Sequence, residues 1–306
     1  MKVLFALSCL LTLACCAPSQ QAAVSPKAKS GKPQVYVANY PLKYFAQRLG
    51  ADLVEVHFPA PADEDPAFWQ PDDETLEKYQ TADLILMNGA SYSKWVETTT
   101  LPDEKVVNTG SAYSDQYIEV KDATTHSHGP GGEHSHSGTA FTTWLDLRQA
   151  SLQAQEVSKA LQTLVPENSK KAIADRYTEL KKDLDSLDQR LLDVGKRLAK
   201  VPFVASHPVY QYMARRYSLD IQSVLWEPET VPDDKAMAEL QALLAKHPAK
   251  WMFWEGQPDG KSVDKLRAIG VLSMVLDPCA NVPETGDFLE RMESNVESLE
   301  IAFPAP

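Results

Sequence analysis

Short runs of β-branched and aliphatic residues alternate with helix-like stretches in the first half of the chain. The apolar runs cover residues 35–38, 53–56 and 84–87, and stretches with helical spacing lie at 41–49 and 73–81. Alternation of strands with helices is typical of a parallel sheet covered by helices on both faces. The pattern therefore predicts an α/β lobe in this part of the chain.

A second series of apolar runs follows Val201. Its predicted strands are residues 203–205, 221–225, 251–254 and 272–276, with helical patterns between and after them. The same argument predicts a second parallel sheet covered by helices. The fold class is therefore α/β, with two lobes.

Between the two series lies one long stretch with the period of an α-helix, and we expect Asn168 or Ser169 to cap its start. Its apolar residues recur at alternating steps of four and three, which places them on one side of a helix. They are Ile173, Tyr177, Leu180, Leu184, Leu187, Leu191, Val194 and Leu198. About 30 residues at roughly 1.5 Å each span about 45 Å, enough for a spine helix along both lobes of a monomer. Because the steps resemble heptads, a coiled-coil dimer is the alternative.

These patterns divide the 306 residues into five segments. We expect a signal peptide over 1–15, a flexible tether over 16–33, an N-terminal lobe over 34–165, a spine helix over 166–200 and a C-terminal lobe over 201–306. The tether is rich in Pro, Ser, Ala and Lys and poor in large apolar residues, a composition typical of flexible linkers.

The amino terminus has the features of an export signal. Lys2 precedes an apolar run of 12 residues over 3–14, shorter than the roughly 20 that a membrane-spanning helix needs. Ala14 followed by Cys15 resembles the bacterial lipoprotein box, in which the cysteine is lipidated and becomes the first mature residue. Cys16 is an alternative register, and an ordinary secretory signal is the alternative interpretation. We therefore expect an extracytoplasmic lipoprotein anchored to a membrane.

Composition and charge exclude several classes of protein. Lys and Arg number 30 against 42 Asp and Glu, a net charge of −12, which argues against a nucleic-acid partner. The apolar fraction of 43% and the charged fraction of 24% are ordinary for a globular body. Once the leader is removed and the anchor is lipidated, Cys279 is the one thiol expected in the folded body, so we expect no internal disulfide.

The chemically most distinctive segment is a loop over residues 125–138. Four of the seven histidines, His126, His128, His134 and His136, lie in it as two His-x-His pairs. Gly, Pro and Ser between the pairs argue against regular structure, so we expect mobile imidazoles that collect Zn²⁺ with changing coordination. The alternatives are a solvated linker that contains histidine by chance and the remnant of an affinity tag.

Several short motifs follow one another along the chain. They are Tyr40-Pro41-Leu42, Asp65-Pro66, the His-rich loop, Thr143-Trp144-Leu145-Asp146, the long helix, Ser206-His207-Pro208-Val209-Tyr210, Glu227-Pro228-Glu229, Glu255-Gly256-Gln257 and Leu276-Asp277-Pro278. Their joint order resembles that in the zinc and manganese solute-binding lipoproteins of ABC transporters. The resemblance implies two lobes around a spine helix, a metal ion in the cleft between them, and delivery of that ion to a cognate ABC permease. Zinc is favoured over manganese as the cargo.

Two ligand positions of this family are not histidine in the present chain. Ala67 and Thr142 stand where the resemblance implies the first and second histidines. His207 matches the third histidine, and Asp277 matches the acidic ligand of some members. A tight tetrahedral zinc site needs about four ligands, so we expect a remodelled cleft.

Neighbouring donors are candidates for replacing the missing histidines. Glu64 and Asp65 lie beside the first substituted position, and the predicted cleft site therefore consists of His207, Asp277, Glu64 and Asp65. A solvated acidic loop is the alternative for the first pair.

Glu255 and Cys279 are further donors that the predicted topology brings near the cleft. Glu255 resembles a family position that is not generally assigned to the metal. For Cys279 a buried, inert thiol is the favoured interpretation.

The sequence contains no recognisable catalytic motif. It has no Gly-rich phosphate loop, Gly-x-Ser-x-Gly elbow or His-Glu-x-x-His helix, so we expect a binding protein rather than an enzyme. Three functions stay open: a metal-binding protein with a remodelled cleft, a relative that has lost the cleft metal and buffers zinc through its loop, and a receptor or adhesin for an organic ligand or a protein. The third rests on aromatic residues that are more often core residues, Phe68, Trp69, Trp226, Trp251 and Trp254.

Overall fold

The computed structural model describes residues 31–120, 125–127, 133–135 and 138–305. The predicted signal peptide with Cys15, most of the tether, and the loop residues His128 and His136 lie outside the described residues. From Lys32 onward the chain forms a single unit. Within the described ranges, no helix is both long enough and apolar enough to pass through a bilayer.

The first lobe is built on four parallel strands. They are β1 (Gln34–Val37), β2 (Glu55–His57), β3 (Leu84–Met87) and β4 (Val106–Asn108), in the spatial order β2-β1-β3-β4. Helices α1 (Tyr40–Gly50) and α2 (Asp73–Thr81) follow β1 and β2, as the alternating pattern predicts. The side chain of Asn39 accepts a 3.1 Å hydrogen bond from the backbone of Leu42 and so caps α1.

Four short strands follow, two of them inside the His-rich loop. β5 (Glu119–Val120) pairs antiparallel with β8 (Gly138–Thr139), and β6 (Thr125–Ser127) pairs antiparallel with β7 (Glu133–Ser135), where His126 lies opposite His134. The expectation that this loop has no regular structure is therefore wrong for these backbone segments. Its Gly and Pro residues are concentrated at 129–132, between β6 and β7, so they interrupt neither strand.

The predicted spine helix is present. After α3 (Leu147–Leu164), helix α4 (Glu167–Leu198) runs for 32 residues, about 48 Å at 1.5 Å per residue. Seven of the eight residues of its predicted stripe are buried, and Tyr177 is partly buried against the same core. Because this stripe is buried inside the chain, it is not available for a coiled-coil dimer. Pro166 occupies the position before the first turn without a side-chain cap, so capping by Asn168 or Ser169 is wrong.

The second lobe repeats the architecture of the first. Its parallel strands are β9 (Pro202–Ala205), β10 (Asp220–Ser223), β11 (Trp251–Trp254) and β12 (Leu272–Val275), in the order β10-β9-β11-β12. Its helices are α5 (Gln211–Tyr217), α6 (Asp234–Leu244), α7 (Gly260–Ala268) and α8 (Phe288–Ala302). One hydrophobic core contains Val35 of β1, Leu184 of α4 and Phe203 of β9, so the spine helix is packed against both sheets.

Both sheets have the same strand order. The first strand of each lobe lies inside the sheet, the second lies on one side of it, and the third and fourth lie on the other. In open parallel sheets, ligands bind beyond the carboxyl ends of the strands at the point where the order reverses. In the second lobe this point lies between β9 and β11.

Direct hydrogen bonds join the two lobes on the carboxyl side of the second sheet. The hydroxyl of Thr142 donates to the carbonyl oxygen of Val209. The indole Nε1 of Trp144 donates to the carbonyl oxygen of Pro278 at 2.7 Å. The cleft between the lobes is therefore bridged by protein groups close to the predicted site.

Candidate functional site

His207 lies just beyond the carboxyl end of the central strand β9 and is only 2% exposed. Its imidazole is flanked by two carboxylates. The Nδ1 atom lies 3.2 Å from Oε1 of Glu255, and the Nε2 atom lies 3.8 Å from Oε1 of Glu227. The ligand atoms of the three residues all lie within 4.8 Å of one another, a grouping that could hold a metal ion. We call His207, Glu227 and Glu255 the His207 cluster.

The sheet order brings these residues together. Glu227 follows β10 and Glu255 follows β11, and these strands are the two neighbours of β9. The backbone N–H of Trp226 donates to the carbonyl of Ser206 at 2.8 Å, and the N–H of Ser206 donates to the carbonyl of Phe253 at 2.8 Å. The pairing of the three strands thus continues up to the cluster and holds its backbone in place.

The carboxylates control the charge of the histidine. Burial lowers the pKa of the His207 imidazole, but the neighbouring carboxylate of Glu255, then the charge of Glu227 and the Trp226 backbone, raise it. The net pKa lies above the ordinary value of 6.5. Both Glu side chains are about a quarter exposed, at 27% for Glu227 and 25% for Glu255, so the cluster is open to solvent on the carboxylate side. This arrangement favours a positive charge at its centre.

The donor set suits a first-row divalent cation. An imidazole nitrogen and carboxylate oxygens are both established zinc ligands, and carboxylates also suit manganese. Among the described residues, the His207 cluster is the one group of three or more His, Cys, Asp or Glu side chains whose ligand atoms lie close enough together to hold a metal ion.

Asp277 belongs to a different set of contacts. Its Oδ1 accepts a 2.7 Å hydrogen bond from the backbone of Cys279, and its Oδ2 lies 3.3 Å from Nε of Arg291. Burial raises the pKa of Asp277, the Cys279 N–H and the Arg291 charge lower it by less, and the charge of Glu255 raises it further. His207 follows β9, Glu255 follows the neighbouring strand β11, and Asp277 follows β12, which lies beyond β11. Asp277 is therefore one strand further from His207 than Glu255 is.

Glu64 and Asp65, the other two predicted ligands, lie on an exposed loop of the first lobe. The backbone carbonyl of Glu64 accepts a 2.9 Å hydrogen bond from Nδ2 of Asn281. Oδ1 of Asp65 accepts a 2.9 Å hydrogen bond from the backbone of Ala67. Of the four predicted cleft ligands, only His207 belongs to the His207 cluster.

The two substituted histidine positions are buried. Ala67 is fully buried, and its carbonyl accepts a hydrogen bond from the backbone of Lys94 at 3.2 Å. Thr142 is 4% exposed and uses its hydroxyl to bond Val209 across the cleft. Ala67 therefore contributes packing, and Thr142 contributes an inter-lobe hydrogen bond.

Cys279 is a free, buried thiol. Burial raises its pKa, and the charge of Asp277 raises it further. Because metals bind the thiolate, a thiol held neutral agrees with the interpretation of Cys279 as inert.

The aromatic residues considered for ligand stacking lie in or against the hydrophobic core. Trp226 and Trp254 are buried in one core cluster with ring centroids 6.2 Å apart, and Trp69 packs against another cluster. Phe68 packs edge-on against Phe141 at 6.0 Å. This agrees with their interpretation as core residues.

Glu227 is the residue that sequence reasoning missed. The sequence shows only that Glu227 is an acidic residue shortly after a predicted strand. This position indicates a ligand only once that strand is known to lie beside the strand that precedes His207. Glu255 is a candidate donor from the sequence, although it resembles a family position not generally assigned to the metal, and the structure places it nearer to the imidazole than Glu227.

Two α/β lobes joined by a long helix, with a buried histidine and carboxylates at the carboxyl edge of one sheet, define the chain as a two-lobed solute-binding protein. The chain belongs to the family of zinc-uptake complex component A, periplasmic, whose model matches residues 35–302. The match covers both lobes and the spine helix.

Individual relatives agree with this assignment. The high-affinity zinc uptake system protein ZnuA of Bacillus subtilis is 24% identical over 306 residues, 95% of this chain and 94% of that protein. The manganese ABC transporter substrate-binding lipoprotein PsaA of Streptococcus pneumoniae is 25% identical over 291 residues, 90% of each chain. The crystal structure of the metal-dependent lipoprotein YcdH from Bacillus subtilis has a TM-score of 0.74 at 20% identity, covering 88% of this chain and 98% of that one, and so shares the fold.

Proposed function

We propose that this chain is an extracytoplasmic lipoprotein that binds a divalent metal ion and delivers it to an ABC permease. Zinc is the favoured ion. Family membership supports the class of function, and the relatives are named for metal uptake and substrate binding rather than for catalysis. Anchoring through Cys15 is part of the proposal and rests on the sequence alone.

One observation carries the proposal for this chain's own site. His207, whose motif resembles that of a family histidine, is buried between the carboxylates of Glu227 and Glu255. A buried imidazole surrounded by negative charge is a strong attractor for a divalent cation, because the ion replaces the proton and is neutralised by the carboxylates.

The His-rich loop is proposed as an auxiliary collector. His126, His128, His134 and His136 would raise the local concentration of zinc around the protein through weak, exchangeable binding. Asp277, Glu64 and Asp65 stay predictions as cleft ligands.

The test is a calorimetric titration with Zn²⁺ at neutral pH. The starting protein carries Gln at all four loop histidines, which removes loop binding and keeps the loop length. We expect one sub-micromolar site per chain in this protein, and its loss when His207→Ala is added. Binding that persists unchanged in the His207→Ala protein would contradict the proposal.

A second function has a specific observation in its favour. Ala67 and Thr142 have replaced two imidazoles, so the cleft could have lost its metal and left the loop as a zinc buffer. In that case the four loop substitutions alone abolish all zinc binding, and His207→Ala has no further effect.

A further inference from the structure

The His207 cluster lies entirely in the C-terminal lobe. We propose that the cation is held by the imidazole of His207 and the carboxylates of Glu227 and Glu255, with no ligand from the N-terminal lobe. This inference rests on the proposed function, because it takes a metal ion as the cargo. It differs from the site implied by the family resemblance in three ways: the N-terminal lobe supplies no ligand, both carboxylates are new ligands, and Asp277 is excluded.

The first argument is the construction of the site. The three residues follow three adjacent strands, β10, β9 and β11, whose pairing continues through the backbones of Ser206 and Trp226. A site placed on the ends of paired strands is held more firmly than one on free loops. The second lobe alone therefore positions the donors.

The second argument is distance. Zinc bonds to nitrogen and oxygen ligands are about 2.0–2.2 Å, so two ligands of a tetrahedral ion lie about 3.4 Å apart. The separation between His207 Nδ1 and Glu255 Oε1 is 3.2 Å, and that between His207 Nε2 and Glu227 Oε1 is 3.8 Å. Each imidazole nitrogen therefore lies close to the ligand spacing from the carboxylate that faces it.

A cation takes only one imidazole nitrogen, and the two carboxylates face different nitrogens. One carboxylate must therefore turn towards the other to share the ion. Both belong to partly exposed Glu side chains with three rotatable bonds, and the three candidate ligand atoms already lie within 4.8 Å of one another. The rearrangement needs side-chain rotation and no movement of the lobes.

The third argument is that two rival donors, Asp277 and Thr142, are engaged in other contacts. Asp277 bonds the Cys279 backbone and faces Arg291, so moving it to the ion would break both interactions. Across the cleft, the hydroxyl of Thr142 donates its hydrogen bond to the carbonyl oxygen of Val209.

The experiment compares Zn²⁺ affinities of single variants in the protein with Gln at the four loop histidines. Glu227→Gln and Glu255→Gln keep the side-chain volume and remove the charge, and we expect each to weaken binding by about tenfold or more. Glu229→Gln is the matched control, because Glu229 lies on the same segment as Glu227 but is exposed. Asp277→Asn tests the rival ligand. The last two are expected to change the affinity by less than about threefold, well below the expected effect of losing a ligand.

Two further measurements keep the result interpretable. Far-ultraviolet circular dichroism of each metal-free variant checks folding. If Glu227→Gln does not fold, Glu227→Asp replaces it. This variant keeps the charge but has a side chain that is shorter by one methylene. The visible spectrum of bound Co²⁺ reports a change of ligand in the Glu227 and Glu255 variants, and is expected to stay unchanged in Glu229→Gln.

The outcomes separate this inference from the proposed function. If Asp277→Asn abolishes binding while both Glu→Gln variants bind normally, the chain binds metal but the one-lobe ligand set is wrong. If the protein without loop histidines binds no metal at all, the proposed function fails together with this inference. Loss in the two Glu variants alone supports both.

Discussion

The indole nitrogen of Trp144, in the segment that leads into α3, donates a hydrogen bond of 2.7 Å to the carbonyl oxygen of Pro278, in the loop that follows β12. Trp144 is fully buried, so the bond links the two lobes in a region without access to water. A buried carbonyl deprived of its donor costs free energy, and a smaller ring leaves a cavity.

Trp144→Phe should therefore lower the free energy of unfolding by about 2–4 kcal/mol. Urea unfolding followed by circular dichroism measures this. Trp69→Phe, at a partly buried tryptophan, is the comparison and should cost clearly less. An equal loss of unfolding free energy in the two variants would show that the hydrogen bond to Pro278 does not contribute to stability.

A charged cluster ties the spine helix to α5. Asp188 accepts hydrogen bonds from Nη2 of Arg216 at 2.5 Å and from the hydroxyl of Tyr217 at 3.0 Å. Its side chain is 13% exposed, so water cannot easily replace the hydrogen bonds that the carboxylate accepts. We expect Asp188→Asn to destabilise the protein by about 1–3 kcal/mol.

The spine helix provides the control for this variant. Asp185 pairs with Lys181 one turn apart, but both side chains are about half exposed, at 54% and 47%. Asp185→Asn should cost less than about 0.5 kcal/mol in the same urea experiment. A comparable loss at both positions would contradict the argument from burial.

Gly195 on α4 marks a close approach of the spine helix to α5. A Cβ atom built there would lie 2.1 Å from the carbonyl oxygen of Tyr217, and a backbone atom cannot move aside cheaply. Gly195→Ala should destabilise the protein by about 1–3 kcal/mol despite the better helix propensity of Ala. Gly260→Ala, where a Cβ meets nothing within 4 Å, should be neutral or slightly stabilising in the same thermal unfolding assay.

The raised pKa of His207 predicts a pH dependence of the metal-free protein. A histidine whose folded pKa exceeds its unfolded value of about 6.5 binds its proton more tightly when folded. Its contribution to stability is complete below about pH 6.5 and is lost as the pH rises through the folded pKa. His207→Gln should remove this part of the pH dependence.

Urea unfolding with chelator present, at pH values on both sides of 6.5, measures this difference. The gap in stability between the wild-type and His207→Gln proteins should narrow as the pH rises. Zinc affinity should change in the opposite direction, rising with pH because the ion competes with the proton. A gap that widens at high pH would contradict the assigned direction.

The proposed donor set also predicts selectivity. One nitrogen and two oxygens suit harder cations better than a site of several imidazoles does, although zinc remains favoured over manganese by the general order of stability. Glu227→His should strengthen Zn²⁺ binding relative to Mn²⁺, which competition calorimetry measures. An unchanged ratio would indicate that position 227 does not touch the ion.

The alternating pattern predicted the elements of the fold well because strand and helix periods are local properties. The apolar run at 84–87 is β3, and the stripe from Ile173 to Leu198 is the spine helix. His207 was found because a strand end before a helix is a local signal. Its partners were not, because the neighbours of β9 depend on the order of strands in the sheet, which no local pattern records.

Asp277 stays a predicted ligand, but its surroundings could not be predicted from the sequence. Its position at a strand end and its family match made it a predicted ligand. Its partner Arg291 is supplied by α8, so the competing ion pair becomes visible only in three dimensions.

The hydrogen bonds from Thr142 to Val209 and from Trp144 to Pro278 bear on how the cargo would leave. If every ligand belongs to one lobe, the ion can depart while these bonds stay intact. Its dissociation rate would then be governed by stepwise ligand exchange at Glu227 and Glu255. A permease could extract the ion by offering competing donors at the exposed side of the site, without prying the lobes apart.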